Sequence, residues 1–536
     1  MNWRRLPLWR PHAWLAAHDG WRHLGVLFLA GALSALAMAP LHIWPALALG
    51  LCVLVWSLDG ARRRPRRTLA GFLRGFVFAL GYFLAGTYWI AFAFVTRGEG
   101  YAALVPLAVP AFAALLALFW GLAGSLYVWI AQRSPWRVLT FAVILTVTEW
   151  LRGHLFGGLP WNLPAYAWPA GGAVSQTAAW FGVYGLTLLT VFVLSAPAAA
   201  LRVRRGRISH IGPALAGLGI GLILVFSGAM RLSAPETGFQ PDIRLRLVHP
   251  DIAQRAKWAP GGAERTRDRY LELTGREGLG AVTHVIWPEG ALPTFMLEDD
   301  RTLGLIGQQL QGGQTLVSGI NRRAVTENGQ YTYHNALVAM RFPGGSPRVD
   351  SLYDKVRLTP FSEIVPLSGL LRAIGLDEFA RYQFTPGPGA SVLDMPGAPA
   401  VMPLICYEAI FPGFVGSVVD RPAWLLNISN DAWFGVTSGP RQHFNQARYR
   451  SIETGLPMVR SAARGVSGIV DPYGRTLVRI LPGTDGIHDV NLPRPLGVPP
   501  YGWWGDAPVW IVILAILAGV IFLRRRRFAR RTPPQP

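Results

Sequence analysis

Cysteine and lysine are scarce in this chain of 536 residues. It has two cysteines, Cys52 and Cys406, and two lysines, Lys257 and Lys355, among 51 basic side chains. Cys52 lies within a long apolar run and Cys406 in a more polar region, so no disulfide is expected between them. An ammonium group can shift its pKa on burial, whereas a guanidinium stays charged. The two lysines are therefore either incidental or required for their ammonium groups, and we favour the second interpretation for Lys355.

Charged residues are also few, and acidic ones are almost missing from the first half of the chain. Only 15% of the residues are charged and 51% are hydrophobic, whereas about a quarter of a soluble protein is charged. The first 235 residues hold four acids, Asp19, Asp59, Glu99 and Glu149, against nineteen arginines. The net charge of +21 comes from arginine clusters beside apolar runs, a pattern that anchors a chain at anionic lipid. Composition thus favours a membrane protein over a nucleic-acid-binding one.

Eight apolar stretches are predicted to be membrane spans, of which the first two and the fifth are short or limited by proline. They cover residues 24–39, 42–58, 72–95, 103–130, 136–151, 177–200, 211–230 and 507–523. With eight spans the arginine clusters all fall on one side, which the positive-inside rule makes the cytoplasm. The predicted order is a cytoplasmic or interfacial N-terminus (1–23), a seven-span membrane domain (24–230), an exported domain (231–500), a last span (501–523) and a basic cytoplasmic tail (524–536).

The exported region alternates short apolar strands with polar connections. Predicted strands are Ile243–His249, Val282–Trp287, Thr315–Ile320, Ala336–Arg341, Val401–Cys406, Trp424–Ile428 and Met458–Ala462. Helical patterns at 262–278 and 299–311 between these strands predict a layered α/β domain. The apolar segment Phe361–Leu376 is either a lid or membrane-dipping arm, or an ordinary helix packed on the domain. The Pro- and Gly-rich segment 482–505 is interpreted as a connector to the last span.

Three groups with complementary chemistry follow predicted strands. Glu289, Lys355 and Cys406 supply a base, a cation and a nucleophile at the strand ends, where α/β sheets bind their ligands. A nearby ammonium favours the thiolate, and a carboxylate can take the thiol proton. Lys355 and the backbone N–H of Tyr407 could stabilise an oxyanion. Singly, each has an ordinary alternative: a packed cysteine, a solvated turn, or an ion pair of Lys355 with Asp354.

The segments around these residues resemble the Glu-Lys-Cys motifs of the nitrilase superfamily. They read Trp287-Pro288-Glu289, Tyr353-Asp354-Lys355 and Ile405-Cys406-Tyr407-Glu408, and Leu358–Glu363 also matches. Eight spans around such a domain resemble the bacterial apolipoprotein N-acyltransferase family. The resemblance implies a polytopic α-helical membrane domain plus a periplasmic nitrilase-like α-β-β-α sandwich, in the inner membrane. It further implies a thioester acyl-enzyme formed from a phospholipid, and transfer to the N-terminal amine of a diacylglyceryl-cysteine apolipoprotein.

The resemblance also assigns roles to individual residues. Glu289 is then the general base, Lys355 the oxyanion stabiliser and Cys406 the nucleophile. Supporting positions are Glu363, Tyr407 and Glu408, and substrate-binding positions are Trp258, Asn335 and Trp433. The expected partners are the phospholipid donor, the apolipoprotein acceptor and the lipid bilayer.

The sequence also bears on cofactors, on assembly and on alternative functions. No convincing ligand cluster or phosphate loop occurs, so no metal or cofactor is expected, and the protein is expected to be a monomer. Two alternatives stay open: a membrane-tethered amidase of the nitrilase type, in which water takes the acyl group, and a non-enzymatic transporter or binding scaffold. The few ionisable residues inside the spans, Arg74 and Glu149, argue against a transport path. Glu149 is interpreted as an interfacial or helix-end residue.

Overall fold

A computed structural model describes residues 11–132, 134–200, 211–310, 312–364 and 383–529. The chain divides into two units, one helical and one built on β-sheets. The helical unit comprises Met1–Ala91, Gly100–Ala234 and Trp503–Pro536, and the sheet unit comprises Phe92–Glu99 and Pro235–Gly502. Most of the segment predicted to be a lid or arm, from residue 365 to 376, lies outside the described residues.

Seven helices in the described part of the chain are long and apolar enough to cross a membrane. They are Trp44–Ala61, Arg67–Gly86, Val105–Ile130, Arg137–Gly157, Val174–Ala200, Gly212–Leu232 and Ala507–Arg524. The predicted span 24–39 corresponds instead to a shorter apolar helix, Trp21–Ala37. At about 1.5 Å per residue it is roughly 25 Å long, which is less than the roughly 30 Å of hydrocarbon in a bilayer. Shorter helices are Pro11–Ala17, Ile90–Arg97 and Glu99–Ala102.

The predicted span 72–95 has the wrong C-terminal end. Its helix stops at Gly86, a separate helix covers Ile90–Arg97, and residues 92–99 group with the sheet unit. Hydropathy alone could not show this break, because the apolar run continues through Phe94 and Val95. The sheet unit is thus built from two separate stretches of sequence.

Charged side chains within the helical unit are buried in pairs. Glu149 lies near the C-terminal end of its helix, as expected, and its side chain is fully buried. It pairs with Arg152 and accepts a hydrogen bond from the indole of Trp120. Asp59 is buried as well and accepts from Arg137 Nε at 2.8 and 3.0 Å. Pairing is what a buried charge requires, so these residues have a structural explanation.

The sheet unit contains two six-stranded mixed sheets. The first has the order β12-β1-β2-β3-β4-β5 and the second the order β11-β10-β9-β8-β7-β6. The strands are β1 (Phe239–His249), β2 (His284–Ile286), β3 (Thr315–Val325), β4 (Tyr331–Arg341), β5 (Arg348–Asp354), β6 (Leu393–Met395), β7 (Ala398–Ile405), β8 (Trp424–Asn430), β9 (Met458–Ala463), β10 (Ser467–Val470), β11 (Thr476–Ile480) and β12 (Gly486–Pro493). Each sheet has three parallel strands, β1-β2-β3 or β7-β8-β9, flanked by antiparallel ones.

Side chains from both sheets form one apolar layer between them. Alternate residues of the first sheet, such as Leu247 and Val317, pack in a cluster with Leu426 and Val459 of the second. The helices Gly262–Thr274 and Asp300–Gln309 cover the outer face of the first sheet through a second cluster. The helix Gly439–Thr454 lies on the outer side of the second sheet.

These layers confirm the predicted α-β-β-α sandwich. Its segment 482–505 is more than a connector, because β12 pairs along most of β1.

Candidate active site

The ends of β2, β5 and β7 carry the three residues predicted to react. Lys355 directly follows β5 and Cys406 directly follows β7, while Glu289 comes three residues after β2. β2 runs parallel to β3, and antiparallel β4 joins β3 to β5. The ends of β2 and β5 therefore share one edge of the first sheet. Charges on both Glu289 and Lys355 act on the Cys406 thiol, so the three groups form one site.

Lys355 is the centre of a buried charge cluster. Its ammonium lies 3.2 Å from Glu289 Oε1 and 2.8 Å from Glu363 Oε2. Asn335 Nδ2 donates to both carboxylates at 2.6 Å. Burial lowers the pKa of Lys355, but the two carboxylates outweigh it and raise that pKa above its ordinary value. Burial likewise opposes ionisation of Glu363, yet Lys355 holds the pKa of Glu363 below its usual range. Lys355 is therefore a fixed cation.

Cys406 is held in an unusual backbone conformation. Its φ of +49° lies in the left-handed region, which costs a non-glycine residue roughly 1–3 kcal/mol, and it begins the short turn Cys406–Ile410. Burial and the charge of Glu289 raise the pKa of the thiol above its ordinary value, against the opposing effect of Lys355. The thiol is protonated at rest and needs a base when it reacts.

Glu408 connects the loop after β5 to the loop after β7. Its Oε1 accepts from Tyr353 Oη at 3.0 Å and from the backbone N–H groups of Val356 and Arg357 at 2.7 and 3.1 Å. Its Oε2 accepts from the Ile405 N–H at 2.8 Å. Burial raises the pKa of Glu408 to about 7, against the lowering effect of these backbone hydrogen bonds. The carboxylate thus fixes Lys355 and Cys406 relative to each other.

A second buried network, not predicted from the sequence, supports the nucleophile. His443 Nε2 lies 3.1 Å from the carbonyl oxygen of Cys406, and its Nδ1 lies 3.0 Å from Asp431 Oδ1. Arg460 Nη2 donates to Asp431 Oδ2 at 2.8 Å, and Ser429 Oγ donates to Oδ1 at 2.7 Å. Burial disfavours the charge on Asp431, but Arg460 and His443 lower its pKa below the usual range.

Cys406, Asp431 and His443 are of the right types to hold a metal, and their ligand atoms lie within 4.8 Å of one another. Both Asp431 oxygens and both His443 nitrogens are already engaged, and a guanidinium supplies the positive charge. The arrangement fits a positioning network better than a cation site.

Glu289 is fixed by two backbone features. The Asn430 N–H, at the end of β8, donates to Glu289 Oε2 at 2.7 Å. Gly319 on β3 lies so close that a Cβ there would stand 2.4 Å from Glu289 Cα and 2.9 Å from Ile428 Cδ1. Only glycine leaves room for the general-base candidate at this point. Gly319 was not singled out from the sequence, because it acts through a contact between distant parts of the chain.

The three residues predicted to bind substrate occupy different surroundings. Asn335 lies inside the charge cluster, and its buried Oδ1 has no hydrogen-bond partner among the described residues. Trp258, which is 64% exposed, and Trp433 line a cavity of about 430 Å³. Tyr407 is buried, with its ring edge-on to Phe411 at 4.9 Å. Thr96 and Arg97, which directly follow the predicted span 72–95, also line the cavity.

The site geometry and family comparisons agree on the class of protein. A protonated thiol beside a carboxylate and a fixed cation is suited to acyl transfer through a thioester. Residues 269–496 match the model of the family Carbon-nitrogen hydrolase, so the sheet unit is a carbon-nitrogen hydrolase domain. Residues 30–196 match the Apolipoprotein N-acyltransferase N-terminal domain.

Full-length relatives give the family. Apolipoprotein N-acyltransferases of Caulobacter vibrioides and Bradyrhizobium diazoefficiens are 40% and 38% identical over 94% and 96% of this chain, and over 95% and 97% of their own lengths. That of Rhodopseudomonas palustris is 37% identical over 95% of this chain and 96% of its own. This chain belongs to the apolipoprotein N-acyltransferase family, and the predicted enzyme class, an acyltransferase in a membrane, is confirmed.

Proposed function

We propose that this protein moves an acyl chain from a phospholipid to Cys406, and then to the N-terminal amine of a diacylglyceryl-cysteine apolipoprotein. The observation that carries the proposal is the buried cluster of Glu289, Lys355 and Glu363 next to a protonated Cys406. A neutral thiol is a weak nucleophile until a base removes its proton. The Cys406 sulfur should therefore attack only an acyl group that is already bound beside Glu289. The apolipoprotein acceptor is suggested by the activity for which the relatives are named, apolipoprotein N-acylation.

In the first half-reaction the Cys406 sulfur attacks the ester carbonyl while Glu289 takes the thiol proton. The carbonyl oxygen becomes an oxyanion, which the Lys355 ammonium stabilises. The ester C–O bond then breaks, and Glu289 returns the proton to the departing alcohol of the lysophospholipid. The product is a thioester on Cys406, and Glu289 is again ionised.

In the second half-reaction the acceptor amine attacks the thioester carbonyl and gives a proton to Glu289. The C–S bond breaks as the amide forms, and Glu289 returns the proton to the Cys406 sulfur. The charge cluster is thereby restored without a cofactor or metal. The network of His443, Asp431 and Arg460 would hold the Cys406 backbone in place through both steps.

A membrane setting explains why the acyl group passes to an amine rather than to water. Each buried methylene contributes roughly 0.8 kcal/mol to binding, so a site reached from lipid can hold a long acyl chain. Limited access of water would also protect the thioester. We propose that the sheet unit faces the periplasm of the inner membrane and that the protein acts as a monomer.

Intact-mass analysis tests this function most directly. Purified wild type and Cys406→Ala are incubated with phospholipid and without acceptor. We expect a hydroxylamine-labile acyl adduct on wild type alone, and its loss as N-acylated product on addition of a diacylated lipopeptide. An adduct that disappears at the same rate with or without lipopeptide, releasing free fatty acid, would favour the amidase alternative. A folded wild type with no adduct and no phospholipid consumed would refute the thioester route.

A further inference from the structure

The cavity beside Trp258 and Trp433 has a composition that the reaction at Cys406 does not explain. Six residues line its volume of about 430 Å³: Thr96, Arg97, Gln254, Arg255, Trp258 and Trp433. Two of them are arginines, and no carboxylate is among the described residues that line it. The cavity therefore has a positive wall, and its size is at the small end of the range for small-molecule ligands, about 300–1,000 Å³.

The two arginines are held by contacts within the sheet unit. The guanidinium of Arg97 lies over the Trp433 ring, 5.8 Å from its centroid. Arg255 Nε donates to the carbonyl of Thr96 at 3.2 Å, and its Nη2 donates to that of Val95. Stacking and backbone hydrogen bonds reduce the freedom of both side chains, so less order has to be imposed when an anion binds. Guanidinium groups also match phosphate oxygens in a two-point geometry that ammonium groups lack.

A short helix, Gln254–Lys257, links the cavity wall to the general-base candidate. Gln254 Oε1 accepts from Asn430 Nδ2 at 3.2 Å, and the Asn430 N–H donates to Glu289. At the other end of the helix, Lys257 Nζ donates to the carbonyl of Gly290 at 3.1 Å. The cavity and the reacting groups are thus two parts of one connected site. Lys257, one of only two lysines, has its place in this link.

From this arrangement we infer that the cavity binds the phosphate of the acyl donor's headgroup, with Arg97 as the main contact and Arg255 beside it. The inference rests on the function proposed above, because the donor must carry a phosphate. The diacylated acceptor has no phosphate, so the cavity would select the lipid used in the first half-reaction. Trp258 and Trp433 would pack against the glycerol or the start of the acyl chains.

The test compares two acyl donors that differ only in the headgroup. Rates of thioester formation on the full chain in detergent are measured with phosphatidylethanolamine and with a diacylglycerol of the same acyl chains. Arg97→Gln should raise the KM for phosphatidylethanolamine about ten- to hundred-fold, the range expected for one charge-assisted hydrogen bond. It should change kcat, and the reaction with diacylglycerol, by less than about two-fold. Arg97→Lys should recover part of the KM.

Controls separate the anion effect from a general loss of structure. Arg348→Gln removes another arginine of the sheet unit, one whose side chain is 67% exposed and pairs with Asp350, and it should leave both donors unaffected. Glycerophosphoethanolamine should inhibit wild type competitively, while inorganic phosphate at equal concentration should not. Inhibition by phosphate alone would mean a site for the free ion and would overturn the headgroup assignment.

The outcomes also distinguish this inference from the proposed function. If wild type forms no thioester with any lipid, the function itself fails. If wild type reacts but Arg97→Gln affects the two donors equally, or affects neither, only the headgroup site is refuted. If Arg97→Gln slows only the transfer from preformed acyl-enzyme to lipopeptide, the cavity belongs to the acceptor and the inference is also refuted.

Discussion

Replacing Lys355 by methionine should separate the lysine's contribution to the fold from its contribution to the chemistry. Methionine has nearly the same length but carries no charge. The lysine side chain is 1% exposed and lies between two carboxylates, Glu289 at 3.2 Å and Glu363 at 2.8 Å. In the variant both carboxylates stay buried without a counter-charge. Because Lys355 is what holds the pKa of Glu363 low, that pKa should rise and Glu363 should take up a proton.

The size of each effect follows from the contacts. Removing one partner of a buried ion pair destabilises a protein by about 3–5 kcal/mol. Removing an oxyanion donor lowers the rate by about a hundred- to a thousand-fold. The double variant Lys355→Met with Glu363→Gln removes one of the unpaired charges. It should therefore recover part of the stability lost in Lys355→Met and none of the rate.

Two measurements on the same samples decide the matter. The apparent unfolding temperature in detergent reports stability, and intact mass against time reports thioester formation. We expect the unfolding temperature to fall in the single variant and to rise again in the double variant, with thioester formation slow in both. A double variant that regains the rate, or a Lys355→Met rate within ten-fold of wild type, would refute the assigned role.

Three further predictions concern the groups around the nucleophile. The asparagine side chain of His443→Asn cannot reach the Cys406 carbonyl, so kcat for thioester formation should fall about ten-fold with KM unchanged. A KM that rises as much as kcat falls would indicate a substrate-binding role. Gly319→Ala would bring a Cβ within 2.4 Å of Glu289 Cα and should lower the rate at least about a hundred-fold, with circular dichroism unchanged; a near-normal rate would show that the strands adjust. Glu408, whose pKa is raised by burial to about 7, accepts its four hydrogen bonds when ionised, so the rate should increase as the pH rises through about 7. The stability that this raised pKa contributes changes in the opposite sense, being full below about 4.5 and lost as the pH rises through about 7. The same pH step in Glu408→Gln would contradict the assignment.

The pattern of strands and helices predicted a layered α/β domain, and the resemblance to the nitrilase superfamily predicted the α-β-β-α sandwich. Strands such as Val401–Cys406 are continuous apolar runs, as expected of parallel strands buried on both faces. Because parallel strands end at the same edge, residues directly after them could be expected to meet. Cys406 directly follows the parallel strand β7, Lys355 directly follows β5 and Glu289 lies three residues after β2; the family motif specified which strand ends to compare.

Features that depend on long-range contacts were not predictable in this way. The pairing of β12 with β1 joins residues more than 200 positions apart, and nothing local marks 486–493 as a strand rather than a connector. His443 lies in a helix of mixed composition, and its role depends on a carbonyl 37 residues away. Cys406 is neutral because burial and the charge of Glu289 outweigh the opposing charge of Lys355. The sequence does not give the distances on which this balance depends.

The grouping of residues 92–99 with the sheet unit has a consequence for how the protein is made. At about 5–20 residues per second, this stretch leaves the ribosome several seconds or more before residue 235, where the rest of its unit begins. During that interval residues 92–99 cannot pack with the rest of the sheet unit, because residues 235–502 have not yet been synthesised. A gene fragment coding only for 235–502 would omit it, and we expect such a fragment to yield a product lacking Arg97 and the carbonyl groups that hold Arg255.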